Sequence, residues 1–310
     1  MAQYEVCLIS FLRNDELKPL SFDILNKKLS NHYTVISIII SESELDDLGN
    51  DVMNIVIPNS TKYRRIKKVF NLVDADYFFC MDSDITLDID KTIKLIRYTI
   101  ENNLDISWGR IGVSKAGNLV ERLIDIDKIL SHSIIRPTLW KLNLGITIPG
   151  QTFFFKKSSL IHGFNFRDTF LDDLAIGTYV RENIESLKIF SNKSIIGYEV
   201  PSKNFLELLS QRKRWAKGFK SVYLGTKNTD LSKYVLTHGY SYHFLWIPLY
   251  FLFGLTFWLN VFLFVFMVIS TTFILSGKNI SKIFYSLIYL LVFPMIHLWW
   301  FFWFLEKDVK

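Results

Sequence analysis

Two pairs of aspartates carry the chemistry that this sequence suggests. Asp82 and Asp84 follow an apolar run with the character of a buried strand, 76–81. A nucleotide sugar, as a donor, carries a diphosphate leaving group, and a hard divalent cation such as Mn²⁺ or Mg²⁺ offsets its charge. Carboxylate oxygens at alternate positions after a strand can hold such a cation. We therefore assign Asp82 and Asp84 to a metal and to a nucleotide donor. The alternative is a solvated turn, because aspartate is common in turns.

The second pair, Asp172 and Asp173, lies in a segment with helical character, 170–182. One interpretation is that both carboxylates only complement the dipole at the start of a helix. The other is that Asp173 is a general base, because direct displacement at an anomeric carbon needs a carboxylate to take the proton of the attacking hydroxyl. We assign Asp173 to this catalytic role and Asp172 to the acceptor side of the same site.

A third group of residues, Gln211, Arg214 and Trp215, lies on a predicted basic amphipathic helix, 203–223. The planar guanidinium group suits phosphate, so we assign Arg214 to the donor diphosphate. We assign Gln211 and Trp215 to the acceptor. The alternative is a surface helix that lies in the membrane interface, with Trp215 as its anchor.

Alternating strand-like and helix-like segments must position these residues, and they predict an α/β domain with a mostly parallel, Rossmann-like sheet. In such sheets ligands bind beyond the carboxyl ends of the strands, and Asp82 stands at one of these ends. The predicted strands are 6–12, 33–40, 54–57, 76–81, 105–110, 146–156, 187–190 and 195–200, and the predicted helices are 22–29, 62–73, 89–102, 120–133 and 170–182.

The C-terminal part of the chain is strongly apolar over 243–275 and again over 283–305. Because about 20 apolar residues cross the hydrocarbon core, we predict two membrane spans, 252–274 and 283–305. A helical hairpin within the first segment is the alternative. The catalytic domain then covers 1–230 and the membrane region 231–310, and an even number of spans returns the C-terminus to the side of the catalytic domain.

The charge pattern bears on location. The net charge is +6, and the excess is concentrated just before the apolar segments. This position favours the positive-inside pattern of a membrane protein over nucleic-acid binding, so we expect a cytoplasmic catalytic domain and no nucleic-acid partner. The clustered basic residues are Arg212, Lys213, Arg214, Lys217, Lys220, Lys227 and Lys233.

Cys7 and Cys80 fall within strand-like runs and are predicted to be buried thiols.

In this order, the motifs resemble those of the membrane-bound family 2 glycosyltransferases, the group of the cellulose and hyaluronan synthases, and those of the related ceramide glucosyltransferases. The resemblance spans about residues 4–225, and its specificity comes from the agreement of several independent motifs in order and spacing. The matching residues are Asp82-Ser83-Asp84 for the DxD motif, Asp172-Asp173-Leu174 for the acidic motif, Gln211, Arg214 and Trp215 for the QxxRW motif, and Pro149-Gly150-Gln151 for the glycine-led strand before the acceptor site.

The resemblance implies a GT-A fold, a UDP-sugar donor, a Mn²⁺ or Mg²⁺ ion and inversion at the anomeric carbon. It also implies that Gly150 lies beside the acceptor, and we assign Lys62 to the donor site. The chain departs from the family pattern at Arg13-Asn14-Asp15, where the family has proline and asparagine after the first strand. Glu42 stands where the family has the aspartate that contacts the base, and we assign Glu42 to the nucleotide.

Two spans are too few to enclose a polymer channel. We therefore expect an integral protein of the cell membrane, an inverting glycosyltransferase that adds one or a few sugars to a lipid-linked or saccharide acceptor. One alternative is a subunit of a processive polysaccharide synthase, whose channel comes from a homo-oligomer or from partner chains. Others are a non-catalytic scaffold that binds sugar nucleotides and a basic module that binds membrane surfaces.

Overall fold

The structure is a computed structural model of the 310-residue chain. It describes residues 4–12, 18–45, 48, 51–160, 169, 171–183, 186–242, 257–277 and 279–305, without the side chains of 160, 183 and 294–305. The departure at Arg13-Asn14-Asp15 lies outside the described residues. The first five residues of the predicted span 252–274 and the C-terminal residues 306–310 lie outside them too.

An eight-stranded sheet forms the centre of the described chain, in the order β3-β2-β1-β4-β7-β6-β8-β5. The first four strands in this order pair in parallel. The next strand, β7, is antiparallel to both of its neighbours, β8 is parallel to β6, and β5 is antiparallel to β8. The predicted α/β, Rossmann-like sheet is therefore confirmed, and its second half is mixed. The strands are β1 (Glu5–Phe11), β2 (Thr34–Ser41), β3 (Val52–Val56), β4 (Tyr77–Asp82), β5 (Ile85–Leu87), β6 (Ile106–Val113), β7 (Thr152–Lys156) and β8 (Ile189–Glu199).

Helices cover both faces of the sheet, because its central strands are apolar on both sides. One face packs against α2 and α6, and the other packs against α1 and α3. Both cysteines are buried in the sheet as free thiols, as the sequence predicts. The helices are α1 (Leu20–Leu29), α2 (Lys62–Leu72), α3 (Ile89–Glu101), α4 (Leu119–Leu130), α5 (Arg136–Lys141), α6 (Asp172–Asn183), α7 (Phe205–Thr226), α8 (Leu231–Ser241), α9 (Phe257–Ser276) and α10 (Ile280–Leu305).

The largest differences from the predicted elements lie at the far edge of the sheet. The segments predicted as two short strands, 187–190 and 195–200, form the single strand β8. Its C-terminal part pairs with β5, which has only three residues and shows no periodicity of its own. Both features depend on pairing between distant segments, so local patterns do not reveal them.

The C-terminal helices α9 and α10 correspond to the two predicted spans. By length and composition, α9 is apolar enough to cross a membrane, whereas the apolar helix Ile280–Phe293 is shorter than a span within the described side chains. One such helix is weak evidence for a membrane location. Before them, α8 buries Val235 against α6 and α7, beyond the domain end predicted at 230.

Candidate functional site

A cleft of about 640 Å³ opens beyond the carboxyl ends of β1, β2 and β4. All of the site residues predicted from the sequence line it, although their individual roles stay predictions. The predicted residues are Glu42, Lys62, Asp82, Asp84, Gly150, Asp172, Asp173, Gln211, Arg214 and Trp215. We call the part around Glu42, Lys62, Asp82, Asp84 and Asp172 the outer half. The inner half is the part around Asp127, Lys128, His132, Arg136, Asp173, Arg212 and His238.

The DxD segment is the short link between two strands. Asp82 is the last residue of β4, and β5 begins directly after Asp84. The amide of Asp82 donates to the carbonyl of Gln151 at 2.9 Å, which ties the strand end to the loop that carries Gly150. The turn geometry and the proposed ligand role are therefore compatible, because the link points both carboxylates into the outer half.

A divalent cation fits the charge of the outer half. Although the Asp84 side chain is exposed to the cleft, the surrounding protein desolvates it, and this together with the negative charges of Asp82 and Glu199 raises the pKa of Asp84 to about 7. A bound cation would offset that crowding of charge. Among the described residues no group of three or more His, Cys, Asp or Glu is arranged to hold a metal alone. A cation at Asp82 and Asp84 would therefore need further ligands, such as diphosphate oxygens.

Lys62 connects the two acidic motifs. It opens α2, whose start is capped by Thr61 through a hydrogen bond from the amide of Arg64 at 3.2 Å. The Lys62 Nζ atom lies 2.8 Å from Asp82 Oδ1 and 3.4 Å from Asp172 Oδ2, and it also donates to the carbonyl of Gly150. Burial lowers the pKa of Lys62, but the two carboxylates outweigh it and raise that pKa above its ordinary value.

Glu42 lies at the end of β2, where it has a partner within the protein. The Arg65 guanidinium is buried beneath it, with Nη2 2.8 Å from Glu42 Oε1 and Nη1 donating to the carbonyl of Leu12 at 3.0 Å. The ion pair holds the Glu42 carboxylate at the rim of the outer half. Its contact with a nucleotide base stays a prediction.

The acidic pair is positioned by close packing of α6 against the preceding loop. A Cβ atom added at Gly177 would lie 2.1 Å from the carbonyl oxygen of Ile146, so only glycine allows this approach. The pair then divides the cleft: Asp172 faces Lys62, and Asp173 Oδ2 lies 3.6 Å from Arg136 Nη2.

Both carboxylates of this pair are harder to ionise than ordinary aspartates. Burial raises the pKa of Asp172 to about 7, against the lowering effect of Lys62. Burial likewise raises the pKa of Asp173, while Arg136 and the amide of Leu174, which donates to Asp173 Oδ1 at 2.9 Å, lower it. A carboxylate with a raised pKa is a stronger base, which suits the predicted role of Asp173.

The QxxRW segment lies on α7, as predicted, but the structure adds a residue to it. Arg212 is buried, with its Nη2 atom 2.7 Å from Asp127 Oδ2 and its guanidinium 4.3 Å from the centre of the Trp215 ring. Asp127 also accepts from the Tyr289 hydroxyl of α10 at 2.6 Å. Arg214 is exposed and lines the cleft. The buried pair therefore links the Trp215 wall to the C-terminal helices.

Several cleft residues escaped the sequence analysis. Asp127 looks like a surface position of α4, Arg136 follows a π-helical turn, Ser131–Ile135, and His238 lies beyond the predicted domain end. None of them belongs to a local motif. Among the cleft residues without an assigned role, only Arg212 could have been found from the sequence, because it lies inside the QxxRW segment.

Comparison with known proteins identifies the fold. No protein-family model matches the chain, and no curated protein matches it. Among solved structures, a mannosyltransferase from Pyrobaculum calidifontis in complex with GDP-Man and Mn²⁺ superposes with a TM-score of 0.51 over 96% of this chain and 88% of that one. The chain has the fold of a glycosyltransferase. At 11% identity the similarity shows the fold alone, and this is the GT-A fold that the sequence predicts.

Two further structures have TM-scores below 0.5. Glucosyl-3-phosphoglycerate synthase from Mycobacterium tuberculosis is 13% identical, with a TM-score of 0.49 over 71% of this chain and 79% of that one. TarS from S. aureus is 11% identical, with a TM-score of 0.47 over 76% of this chain and 44% of that one. We therefore take the GT-A fold from the mannosyltransferase.

Proposed function

We propose that this chain is a membrane-anchored, inverting glycosyltransferase of the family 2 type. It moves a sugar from a nucleotide sugar, a UDP-sugar in the first instance, to a lipid-linked or saccharide acceptor. The observation that carries the proposal is the meeting of the DxD pair and the acidic pair across Lys62, within a GT-A fold. The mannosyltransferase with this fold was solved with a nucleotide sugar and Mn²⁺, which supports a donor and a cation of the same kinds.

The site supports a direct displacement. Asp173 takes the proton of the acceptor hydroxyl as its oxygen forms a bond to the anomeric carbon. The bond from that carbon to the donor diphosphate breaks, the electron pair stays on the nucleoside diphosphate, and the configuration inverts. Lys62 and Arg214 provide positive charge for the diphosphate. Mn²⁺ or Mg²⁺, held by Asp82 and Asp84, would offset the remaining charge of the leaving group.

The exposed surface of the C-terminal helices supports the membrane anchor. Large apolar side chains face outward along both helices, a pattern that lipid favours and water does not. We propose that α9 and α10 lie in the cell membrane and that the catalytic domain faces the cytoplasm. The exposed side chains include Trp258, Phe262, Phe266, Phe273, Ile274, Ile280 and Phe284.

A donor panel tests the proposal. Membranes that contain the protein are incubated with UDP- and GDP-sugars, and the release of nucleoside diphosphate and labelled product is measured. We expect release from one donor, its loss in chelator, and its recovery with Mn²⁺ or Mg²⁺. An Asp84→Asn variant should need more cation than the wild type. Full activity in chelator contradicts the metal role. Absence of nucleoside diphosphate release with every donor contradicts the proposed enzymatic activity.

The size of the product separates the alternatives. A product extended by one or a few sugars fits the proposed function, and a long polymer indicates a subunit of a processive synthase. Binding of a nucleotide sugar without any transfer or hydrolysis indicates a scaffold.

A further inference from the structure

Arg136 is a buried cation that the protein leaves incompletely paired. Its side chain is 12% exposed, and its ion-pair contact with Asp173 is long, at 3.6 Å. Its Nε and Nη1 atoms are buried and have no hydrogen-bond partner among the described residues. Buried polar atoms are almost always paired, so a guanidinium with two open donors calls for a missing partner.

The other cations of the inner half differ from Arg136, because each has a close carboxylate. Lys128 Nζ lies 2.7 Å from Glu199 Oε2, and Arg212 Nη2 lies 2.7 Å from Asp127 Oδ2. The inner half therefore contains one positive group whose charge is only weakly balanced.

Two histidines lie in the inner half, and their pKa values are lowered mainly by burial and further by neighbouring cations. Burial, followed by the charge of Arg136, lowers the pKa of His238 to about 3. Burial also lowers the pKa of His132 well below its ordinary value, with further lowering by Arg136, Lys128 and Arg110. Neutral imidazoles can donate a hydrogen bond without adding charge, and both rings line the cleft.

We propose that the inner half binds a phosphate group of the acceptor through the open nitrogens of Arg136. The proposal rests on the proposed glycosyl transfer and names the class of its acceptor: a hydroxyl compound that carries a phosphate. A guanidinium fork binds phosphate with two parallel hydrogen bonds, which suits the two open donors.

The position of Arg136 assigns this phosphate to the acceptor. Lys62 lies on the Asp172 side of the acidic pair, with the DxD residues, whereas Arg136 lies on the Asp173 side. A phosphate on Arg136 therefore lies next to the predicted base, and the hydroxyl of the same molecule is brought toward the Asp173 carboxylate. The transfer step is unchanged: the proton of that hydroxyl goes to Asp173, and the nucleoside diphosphate leaves from the donor.

Binding of inorganic phosphate to the full-length protein in nanodiscs tests the inference. The donor site is first saturated with the nucleoside diphosphate that the panel selects, together with its cation. Added phosphate can then bind only in the inner half of the cleft. We expect the wild type to bind phosphate and Arg136→Gln to bind it roughly ten- to a hundredfold more weakly, the usual effect of losing charged hydrogen bonds. Arg136→Lys, which keeps the charge and loses the fork, should fall between them.

Lys217→Gln is the matched control, because it removes the same charge from an exposed position of α7 outside the cleft. It should bind phosphate like the wild type. Equal phosphate affinity in Arg136→Gln and the wild type overturns the inference, and so does a nucleotide-saturated wild type that binds no phosphate. Nucleotide binding in each variant reports a folded donor site. If no nucleotide binds to the wild type, the proposed function fails instead.

The source of the phosphate is resolved by two further probes. Nanodiscs of phosphatidylcholine with added phosphatidic acid present the group on a lipid, and glycerol 3-phosphate presents it in solution. Competition with inorganic phosphate by the lipid alone indicates a lipid-linked acceptor, and competition by glycerol 3-phosphate indicates a soluble one. Competition by neither contradicts a phosphate-bearing acceptor.

Discussion

The two halves of the cleft are out of balance in opposite directions. In the outer half, the carboxylates of Asp82 and Asp172 share Lys62, and the pKa values of Asp84 and Asp172 are raised to about 7. In the inner half, two buried nitrogens of Arg136 have no hydrogen-bond partner among the described residues, and burial, followed by the charge of Arg136, lowers the pKa of His238 to about 3. The outer half has more carboxylates than cations, whereas the inner half contains a cation, Arg136, whose only ion-pair contact among the described residues is long, at 3.6 Å.

The two halves meet at the start of one helix, α6. Asp172 and Asp173 are neighbours in the chain, yet each faces a different cation, Lys62 or Arg136. In the proposed reaction, a cation and a diphosphate complete the outer half, and an anionic acceptor completes the inner half. The acidic pair is the boundary between them.

Replacement of Asp173 or Asp172 by asparagine, one at a time, should give the largest effect, a change in the transfer rate. Asp173→Asn removes the base and should lower the transfer rate by ~10²–10⁴ while leaving donor affinity near that of the wild type, because the donor is bound from the other side of the pair. Asp172→Asn is the matched control, with the opposite expectation: a smaller loss of rate and altered donor binding through Lys62. Both are measured as transfer rate and nucleotide-sugar affinity.

A reversed result would relocate the base. If Asp173→Asn transfers sugar at the wild-type rate and Asp172→Asn is inactive, the general base is Asp172, and the division of the cleft between the two residues is wrong.

Loss of the buried contacts between the inner half and α10 should give the next largest effect, a decrease in the free energy of unfolding. Asp127 pairs with Arg212 and accepts from Tyr289 of α10. Asp127→Asn leaves the buried guanidinium without its anion, which typically costs about 3–5 kcal/mol in the free energy of unfolding. Tyr289→Phe removes one hydrogen bond to a charged group and should cost about 1–3 kcal/mol. Thermal unfolding in detergent measures both.

Asp125→Asn is the control on the same helix. Asp125 lies 2.7 Å from Lys282, but the Lys282 side chain is 36% exposed, so the pair should contribute about 0–1 kcal/mol. If the Asp125 and Asp127 variants unfold at the same temperature, the buried network does not hold the C-terminal helices against the catalytic domain.

The sequence predicts the outer half better than the inner half, for a physical reason. The DxD pair and Lys62 stand at the ends of elements with strong local patterns: β4 is a continuous apolar run, and α2 has regular helical spacing. Arg136 and His238 reach the cleft only through tertiary contacts: α5 packs in a cluster with α7, and α8 packs against α6 and α7. The short β5 and the undivided β8 were missed for the same reason.

The smallest expected effect is a shift in the pH dependence of kcat/KM, which tests whether Arg136 changes the pKa of Asp173. Burial raises the pKa of Asp173 above the ordinary 3.8, and Arg136, the Leu174 amide and Lys62 lower it again. Because the carboxylate form is the base, kcat/KM should fall on the acid side as Asp173 is protonated, above the ordinary range for aspartate. Asp172, whose pKa is raised to about 7, titrates in the same range, so the fall belongs to the acidic pair. Arg136→Gln removes a charge that favours the carboxylate, so the fall should move to higher pH than in the wild type.

The shift is a readout that a purely structural role of Arg136 does not produce. The measurement uses saturating donor and cation, so that Asp82 and Asp84 do not titrate within the range. Lys217→Gln should leave the profile in place, because its exposed charge lies outside the cleft. A profile that is unchanged in Arg136→Gln, even with a lower plateau, would mean that Arg136 binds the acceptor without tuning the base. A profile that moves to lower pH would contradict the pairing of Arg136 with Asp173, because loss of a neighbouring cation can only make a carboxylate easier to protonate.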